Sequence, residues 1–338
     1  MKNIRLGIIG ATGLVGRTVL DVVWERNLSV SSIKLFASEK SAGNKIITKK
    51  GEYAIEKLDE NSFNNLDIAI FSAGGYVSKK YVPVAVEKKC VAIDNGSYWR
   101  MDENVPLIVP EVNSHKIKSH KGIIANPNCS TIQLVIALNA LLKLGNIKRV
   151  VVSTYQAASG GGQKILDKYR NEINGFANDD RYKLFDSIMF HSDFNEAGNT
   201  IEEEKMLNET KKILEINDFK MSVNCVRLPI KNSHCEFVNV EFENNFSLEQ
   251  IKEVVSNQKG AKLVDGNDYP HPLLANGKDD VFIGRIRKDN SRENAYNMWI
   301  VADNLRKGAA TNAVQIAEML NKGIIYNVIP NQTTCLIC

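Results

Sequence analysis

A glycine-rich turn close to the N-terminus restricts the fold of this chain more than any other feature. Gly10 ends the apolar run 4–10, and Gly13 directly precedes residues 14–26, whose apolar positions have helical spacing and which include Gly16. A strand, a tight glycine turn and a helix in this order let a pyrophosphate approach the free N–H groups at the helix N-terminus. The motif predicts a dinucleotide-binding unit, and a glycine turn with a structural role only is the alternative.

Strands and helices alternate through the first third of the sequence. The apolar runs 32–38, 66–74 and 91–96 have the length and composition of buried parallel strands, and a helix is predicted at 77–89. This alternation predicts an α/β domain built on a doubly wound sheet with parallel strand order.

The pattern changes near residue 128. Three longer β-rich runs follow, and polar residues alternate in the last of them, so we expect a mixed or antiparallel sheet in an α+β second domain: 147–159, 219–230 and 234–243. Residues 311–323 have the spacing of an amphipathic helix that returns to the first domain. The predicted domains are residues 1–127 plus 308–338, and residues 128–307.

Composition excludes several classes of protein. The 338 residues fit about two domains. Lys and Arg number 43 against 39 Asp and Glu, and 43% of residues are hydrophobic, which excludes a disordered chain. The basic residues are scattered, so we expect no nucleic-acid partner. No apolar run has the length of a membrane span, and the N-terminus lacks a signal-peptide cleavage site, so we expect a soluble cytoplasmic protein.

The six cysteines do not form a recognisable framework. They are too sparse for a disulfide scaffold, and their spacing matches no zinc motif, so we expect no metal site. The last four residues, 335–338 (CLIC), fit a prenylation pattern loosely, but no basic stretch precedes them, and we interpret them as an ordinary tail.

Cys129 is the strongest candidate for a reactive residue. It stands in Asn126-Pro-Asn-Cys129-Ser-Thr131, directly before an apolar helical stretch. At a helix N-terminus the dipole and free N–H groups lower the pKa of a thiol and can stabilise an oxyanion. A small core cysteine is the alternative.

His234 supports the catalytic interpretation of Cys129. It follows Arg227 in a predicted turn between two strands, which is an unfavourable place for a core imidazole. A base near a thiol, with a guanidinium nearby, makes a set of nucleophile, acid/base and anion clamp. The other histidines, His115, His120, His191 and His271, are predicted to lie at the surface.

Residues 38–41 bear on cofactor choice. An NAD enzyme often places an acidic residue after the second strand to bind the ribose 2′-OH. Here Ser38, Lys40 and Ser41 suit a 2′-phosphate, whereas Glu39 suits the ribose of NAD. The segment favours NADP, and an ordinary polar turn is the alternative.

Longer motifs identify a family resemblance. From residue 4 to about 320 the chain resembles aspartate-β-semialdehyde dehydrogenases, through segments that stand in the family's order: 72–75, 93–113, 126–133, 155–162, 202–214, 225–234 and 303–318. The resemblance implies a Rossmann-like doubly wound domain joined to an α+β catalytic and dimerisation domain. It also implies a homodimer or homotetramer that binds small-molecule substrates.

The resemblance implies a reaction as well. L-Aspartyl 4-phosphate is reversibly converted to L-aspartate 4-semialdehyde, with NADPH oxidised and phosphate released, in the biosynthesis of lysine, threonine, methionine and isoleucine. Cys129 would be the nucleophile that forms an acyl-thioester, His234 the general acid/base, and Gln156 an orienting residue, with Asn128 beside them.

The resemblance assigns the binding residues in the same way. Arg227 would hold the substrate α-carboxylate and Glu202 its α-amino group, with Glu203 or Glu204 as alternatives to Glu202. Arg100 and Lys205 would hold the phosphate. The cofactor positions would be Gly10, Ala11, Thr12, Gly13, Ser38, Glu39, Lys40, Ser41, Ser159, Gly160 and Asn304.

Two other functions remain open from the sequence. One is an acyl-phosphate reductase similar to N-acetylglutamyl-phosphate reductase, whose substrate has no charged amine to pair with Glu202. The other is a catalytically inactive NADP-binding sensor, which the presence of Cys129, Gln156 and His234 argues against.

Overall fold

Short apolar strands build the first sheet. The structure, a computed structural model, describes residues 3–176, 183–191, 194–216, 218 and 220–324. Within these ranges seven strands form a sheet of order β3-β4-β2-β1-β5-β6-β7. Their bounds are β1 Ile4–Ile9, β2 Val30–Ala37, β3 Lys45–Thr48, β4 Gly51–Lys57, β5 Ile68–Phe71, β6 Val91–Asp94 and β7 Ile123–Ala125.

The first sheet has the predicted parallel order. All neighbouring strands pair in parallel except β3, which is antiparallel to β4. β1 lies between β2 and β5, so the strands that follow it in the chain extend the sheet first on one side of β1 and then on the other. Ligands of doubly wound sheets bind at such a point, outside the carboxyl ends of the strands.

Nine α-helices occur in the described ranges. Their bounds are α1 Leu14–Glu25, α2 Gly75–Glu87, α3 Pro110–Asn113, α4 Cys129–Leu141, α5 Gly162–Ile173, α6 Ile201–Leu214, α7 Leu248–Ser256, α8 Pro272–Ala275 and α9 Thr311–Met319. None of these helices combines the length and apolar character needed to cross a lipid bilayer.

Close packing explains why glycine is needed at Gly10, in the turn after β1, and at Gly16, in the first turn of α1. Gly10 has a φ of +79°, and a Cβ atom there would lie 2.4 Å from the Ser72 carbonyl oxygen. A Cβ atom on Gly16 would lie 2.3 Å from the Gly10 carbonyl oxygen. Side chains at these positions would push β1, β5 and α1 apart, so the turn brings the N-terminus of α1 close to the sheet edge.

A second sheet of seven strands accounts for most of the rest of the described chain. Its order is β12-β13-β14-β11-β8-β10-β9. The bounds are β8 Ile147–Gln156, β9 Met189–Phe190, β10 Lys220–Arg227, β11 His234–Phe242, β12 Ala261–Val264, β13 Val281–Lys288 and β14 Ala295–Ala302. The sheet is mixed, as predicted: β8 is parallel to β10 and β12 to β13, and the other pairs are antiparallel.

Two main cores hold the elements together. One face of the second sheet packs on α4, whose side chains are almost all buried. Ala313, Val314 and Ile316 of α9 belong instead to the core of the first sheet, together with Ile8 and Ile93. The prediction that this late helix returns to the first domain is therefore confirmed. The tail at 335–338 lies outside the described residues.

Candidate active site

One cavity of about 590 Å³ collects most of the predicted site residues. Its wall is formed mainly by loops that follow β5, β6 and β8, by the first turns of helices such as α1, α4 and α6, and by the end of β10. Its volume is in the range of small-molecule sites. The predicted residues among those that line it are Gly13, Arg100, Asn128, Cys129, Ser159, Gly160, Glu202, Lys205, Arg227 and Asn304.

Cys129 is the first residue of α4 and is half-buried in the cavity wall. The Asn128 side chain caps the helix, because its Oδ1 accepts the N–H groups of Ser130 at 2.9 Å and Thr131 at 3.3 Å. A Cβ atom on Gly308 would lie 2.9 Å from the Cys129 Cβ, so glycine lets the π-helical turn Arg306–Ala310 pack directly against the cysteine. The predicted position of the cysteine at a helix N-terminus is confirmed.

The prediction that the helix N-terminus lowers the pKa of the Cys129 thiol was wrong for the site without bound ligands. Burial, with the Glu202 carboxylate as a second cause, raises the pKa of Cys129 to about 12, although Arg100 and Arg227 act in the opposite direction. Desolvation of the thiolate outweighs the favourable charges and the helix N-terminus. Cys129 is therefore a protonated thiol when the cavity holds only protein.

Strand register places three predicted residues side by side. Arg227 at the end of β10 pairs with Gln156 at the end of β8. On the other side of β8, the antiparallel pairing of Cys235 with Tyr155 brings His234, at the start of β11, next to Gln156. These three side chains therefore come from one edge of the second sheet.

His234 differs from the expectation in its exposure. It begins a strand and is fully buried. Its Nδ1 accepts the Ala157 N–H at 3.0 Å, which leaves Nε2 as the ring atom free for other contacts. A Cβ atom on Gly160 would lie 2.7 Å from Nε2, so glycine makes the space beside the ring. Burial, with Arg227 as a further cause, lowers the pKa of His234 to about 3, so the ring is neutral.

Glu202 is the acceptor at the centre of a polar network. It accepts hydrogen bonds from Asn128 Nδ2 at 2.7 Å and from Gln156 Nε2 at 3.3 Å, and Lys205 Nζ lies 3.3 Å away. Burial alone would raise its pKa, but the charges of Lys205 and His191 and these donors lower the pKa to about 2. The carboxylate is therefore ionised and can pair with a cation.

Glu202, Glu203 and Glu204 point in different directions from α6, and this distinguishes Glu202 from the other two. Glu203 forms the capping box of α6 with Thr200, and its other oxygen accepts the Cys225 N–H at 2.8 Å. Glu204 accepts the side-chain amide of Asn199 at 2.9 Å. Of the three glutamates, Glu202 alone lines the cavity.

Two arginines line the cavity, and the protein restrains the side chain of Arg100 more than that of Arg227. Arg227 Nη1 donates to the Ala157 carbonyl oxygen at 2.6 Å, and its Nη2 lies 3.5 Å from His191 Nδ1. Arg100 is held by three acceptors, which are the carbonyl oxygens of Asn126 and Asn95 and the Glu209 carboxylate. Its guanidinium is therefore fixed in one orientation.

The sequence analysis missed two contributing residues and placed two buried histidines at the surface. His191 was predicted to lie at the surface, but it lines the cavity, and burial lowers its pKa to about 4. His120 is also buried, and its Nδ1 accepts the Gly122 N–H. Glu209 and the cavity-lining Ser72 lie in the segments 202–214 and 72–75 of the family resemblance, but neither was predicted to be a site residue. A single histidine or glutamate in a polar segment carries no local signal of the contacts that the fold brings to it.

The predicted cofactor residues divide into three groups. Gly13 lines the cavity, whereas the N–H groups of Gly10 and Ala11 donate to the Phe36 carbonyl oxygen, so these two residues build the turn, as does Thr12. Ser159 and Asn304 line the cavity and are bonded to each other: Asn304 Nδ2 donates to Ser159 Oγ at 3.0 Å.

The segment 38–41 forms the third group. It lies outside the cavity wall, at the end of β2, where Glu39–Ser41 make a 3-10 turn. The Glu39 carboxylate accepts from Lys57 Nζ at 2.8 Å, and both side chains are exposed. Within the described residues, no group of three or more His, Cys, Asp or Glu side chains is placed to hold a metal ion.

Two family models match the chain. Residues 5–120 match the NAD binding domain of semialdehyde dehydrogenases, and residues 138–307 match their dimerisation domain. The aspartate-semialdehyde dehydrogenase of Aquifex aeolicus is 49% identical over 334 residues, which are 94% of this chain and 98% of the relative. That of Bacillus subtilis is 42% identical over 340 residues, 95% of this chain and 98% of the relative.

Solved structures agree with the sequence relatives. Aspartate semialdehyde dehydrogenase II of Vibrio cholerae, complexed with ASA, matches with a TM-score of 0.92 and 38% identity, over 96% of this chain and 100% of the other. The enzyme of Candida albicans, solved with NADP, matches with a TM-score of 0.77 and 25% identity, over 95% of this chain and 100% of the other.

Proposed function

Because the chain belongs to the aspartate-semialdehyde dehydrogenase family, whose reaction it catalyses, we propose that the cavity around Cys129 is where that reaction takes place. The substrates are L-aspartyl 4-phosphate in one direction, and L-aspartate 4-semialdehyde with phosphate in the other. One observation carries this proposal: a cysteine at a helix N-terminus shares its cavity with two arginines, a lysine and an ionised glutamate. No observation favours the N-acetylated substrate or an inactive sensor.

Cys129 is the nucleophile in this proposal. Its sulfur attacks the C4 carbonyl carbon of the acyl phosphate, the C–O bond to phosphate breaks, the thiol proton ends on the departing phosphate, and an acyl-thioester remains on the enzyme. Asn128 Oδ1 already accepts the amides of Ser130 and Thr131, and the Asn128 amide donates to Glu209. The Cys129 amide is therefore the first-turn donor left for the developing oxyanion.

His234 exchanges the proton in this proposal. Nδ1 is bonded to the Ala157 amide, so Nε2 is the atom that holds or moves a proton at the reacting oxygen or sulfur. The neutral ring suits this role, because it can donate from Nε2 as negative charge develops. Gln156, the neighbour of His234 across the strands, orients the substrate.

Each charged group of the substrate is recognised by protein groups of the opposite charge. Arg227 Nη1 is bonded to protein, so its remaining N–H groups are available for the α-carboxylate. Glu202 is ionised and pairs with the α-amino group. Lys205 and Arg100 bind the phosphate. This pair of Glu202 and Arg227 favours a free amino acid over an acylated one.

The glycine turn fits a nicotinamide dinucleotide. Gly10 and Gly16 allow the close approach of backbone at the N-terminus of α1, and Ser159 and Asn304 complete the wall on the other side. The cofactor, when bound, supplies or accepts a hydride. We propose NADP as the physiological cofactor, because Lys57 engages Glu39 and leaves Ser38, Lys40 and Ser41 for a 2′-phosphate.

Steady-state kinetics test the function and the cofactor together. The wild-type protein should oxidise aspartate semialdehyde only with phosphate present, and should prefer NADP to NAD. Cys129→Ala should abolish turnover. Ser38→Asp should weaken NADP strongly and NAD less, because it places an anion against the 2′-phosphate. Equal use of both cofactors by the wild type would overturn the assignment of NADP, and full activity of Cys129→Ala would overturn the covalent mechanism.

The assembly and location are proposals of the same kind. Residues 138–307 match a dimerisation domain, and we propose a homodimer formed through the second domain. We propose that the enzyme acts in the cytoplasm, in the pathway to lysine, threonine, methionine and isoleucine, since its relatives are bacterial aspartate-semialdehyde dehydrogenases.

A further inference from the structure

One face of α6 carries four charged residues that all contact the site or the loop beside it. Glu202, Lys205, Glu209 and Lys212 follow one another at spacings of three or four residues, which places them along one side of a helix. Glu202 and Lys205 line the cavity. Glu209 and Lys212 lie further along the helix, and the proposed mechanism does not use them.

Glu209 joins two parts of the site with one carboxylate. One of its oxygens, Oε1, accepts from Arg100 Nη1 at 2.9 Å, and the other, Oε2, accepts the Asn128 N–H at 2.7 Å. Its side chain is 1% exposed, and that of Arg100 is 9% exposed. A buried guanidinium needs a buried anion, and in the described chain Glu209 is the one that contacts it.

Lys212 fixes the loop that carries Arg100. Its Nζ donates to the carbonyl oxygens of Arg100 at 2.7 Å, Asp102 at 2.7 Å and Val105 at 2.9 Å. The backbone of Arg100 is therefore held by one residue of α6 and its guanidinium by another. α6 sets both the position and the direction of the Arg100 side chain.

We propose that Glu209 is a positioning residue for the phosphate half of the site. It aims the Arg100 guanidinium at the cavity and accepts the Asn128 N–H, one residue before Cys129. It therefore sets the position of Arg100 relative to the nucleophile. The inference rests on the proposed role of Arg100 as a phosphate ligand. Glu209 does not line the cavity and acts through Arg100 and Asn128.

Glu209→Gln tests the proposal with little change in volume. An amide has one acceptor oxygen, so its NH₂ group must face either the Arg100 Nη1–H or the Asn128 N–H, donor against donor. We expect the KM for phosphate to rise by about tenfold or more, because a charge-assisted hydrogen bond is lost. The KM for aspartate semialdehyde should change by less than about twofold, since Glu202 and Arg227 keep their contacts.

Glu204→Gln is the matched control. It is the same substitution on the same helix, but Glu204 accepts the amides of Asn195 and Asn199 and does not line the cavity. Both KM values should equal those of the wild type. Glu209→Asp keeps the charge but is too short to reach both partners, so we expect an intermediate KM for phosphate. This variant also serves if Glu209→Gln does not fold.

Arg100→Gln separates failure of this inference from failure of the proposed role of Arg100. If Arg100→Gln leaves the KM for phosphate unchanged, Arg100 does not bind phosphate, and both proposals fall. If Arg100→Gln raises that KM and Glu209→Gln does not, only the positioning role is overturned. A rise in both KM values of Glu209→Gln to the same extent would also overturn it. When Arg100 is already Gln, adding Glu209→Gln should change the KM for phosphate by less than about twofold.

Discussion

At the scale of single residues, two opposing effects act on the Cys129 thiol. Its place at a helix N-terminus favours the thiolate, whereas burial and the Glu202 carboxylate favour the thiol. Burial and the Glu202 carboxylate have the larger effect and raise the pKa of Cys129 to about 12. His234 is neutral for a similar reason, since burial lowers its pKa to about 3. The free site therefore holds a neutral thiol and a neutral imidazole.

The pH dependence of alkylation checks this state of the thiol. In the free enzyme, the rate at which iodoacetamide modifies Cys129 should keep rising past the ordinary thiol pKa of about 8.5, because the thiolate is the reactive form. Glu202→Gln should move the rise to lower pH, since it removes a charge that raises the pKa. Glu204→Gln should leave the profile unchanged. A plateau near neutral pH would show that Cys129 is already a thiolate.

At the scale of elements, β11 carries a buried acid two positions after His234. Glu236 is fully buried and pairs across the sheet with Thr154 of β8. Burial raises its pKa well above the usual value, although contact with Gln133 of α4 acts in the opposite direction. In the folded protein the carboxyl group therefore stays protonated at pH values where the unfolded chain ionises it.

The stability of Glu236→Gln should reveal this protonation. Because the folded state binds the extra proton, wild-type stability is full below the unfolded pKa of about 4.3 and falls as pH rises toward the folded pKa. Glu236→Gln removes this loss, so its advantage over the wild type should grow by up to about 1.4 kcal/mol per pH unit in that window. Urea unfolding at a series of pH values measures it.

Glu241→Gln, on the same strand, is the control for the direction of the pH dependence of stability. Hydrogen bonding to Arg292 lowers the pKa of Glu241, so its contribution is present above the usual pKa and is lost as pH falls. The two variants should therefore show opposite pH trends. A constant difference between Glu236→Gln and the wild type across pH would mean that Glu236 is ionised in the folded protein.

At the scale of the whole molecule, a buried ion pair ties the turn behind Cys129 to the first domain. Lys307 Nζ lies 2.7 Å from the Glu111 carboxylate, and the side chains are 1% and 2% exposed. Lys307 also donates to Asn312 at 3.1 Å and Gln315 at 2.8 Å. Its neighbour in the chain is Gly308, which packs on the cysteine. The pair therefore joins the cavity wall to α3 and α9.

Removing one partner of the Lys307–Glu111 ion pair should destabilise the folded protein. Lys307→Met leaves the Glu111 carboxylate buried without its cation, and we expect the free energy of unfolding to fall by about 3–5 kcal/mol in urea titrations. Lys307→Met with Glu111→Leu should lose less, because no charge is left buried. Lys45→Met, in an exposed pair with Glu52, should change stability by about 1 kcal/mol at most. Equal losses for Lys307→Met and Lys45→Met would contradict this account.

Local sequence signals determined the elements but not their chemistry. The α/β class, the glycine turn and the placement of Cys129 at a helix start depend on residues that are adjacent in the chain, and the structure confirms them. The choice of Glu202 over Glu203 and Glu204 needed the rotation of α6 against the cavity, which no local pattern records. The catalytic and binding roles stay predictions until the variants are measured.

Tertiary structure alone decided the protonation states and the supporting contacts. The sequence placed Cys129 at a helix N-terminus, but the burial and the Glu202 charge that raise its pKa come from segments far apart in the chain. His191 enters the cavity, and Glu209 bridges Arg100 to Asn128, for the same reason. Desolvation and long-range hydrogen bonds depend on which distant residues folding brings together, whereas helix starts and glycine turns depend on a few neighbours in the chain.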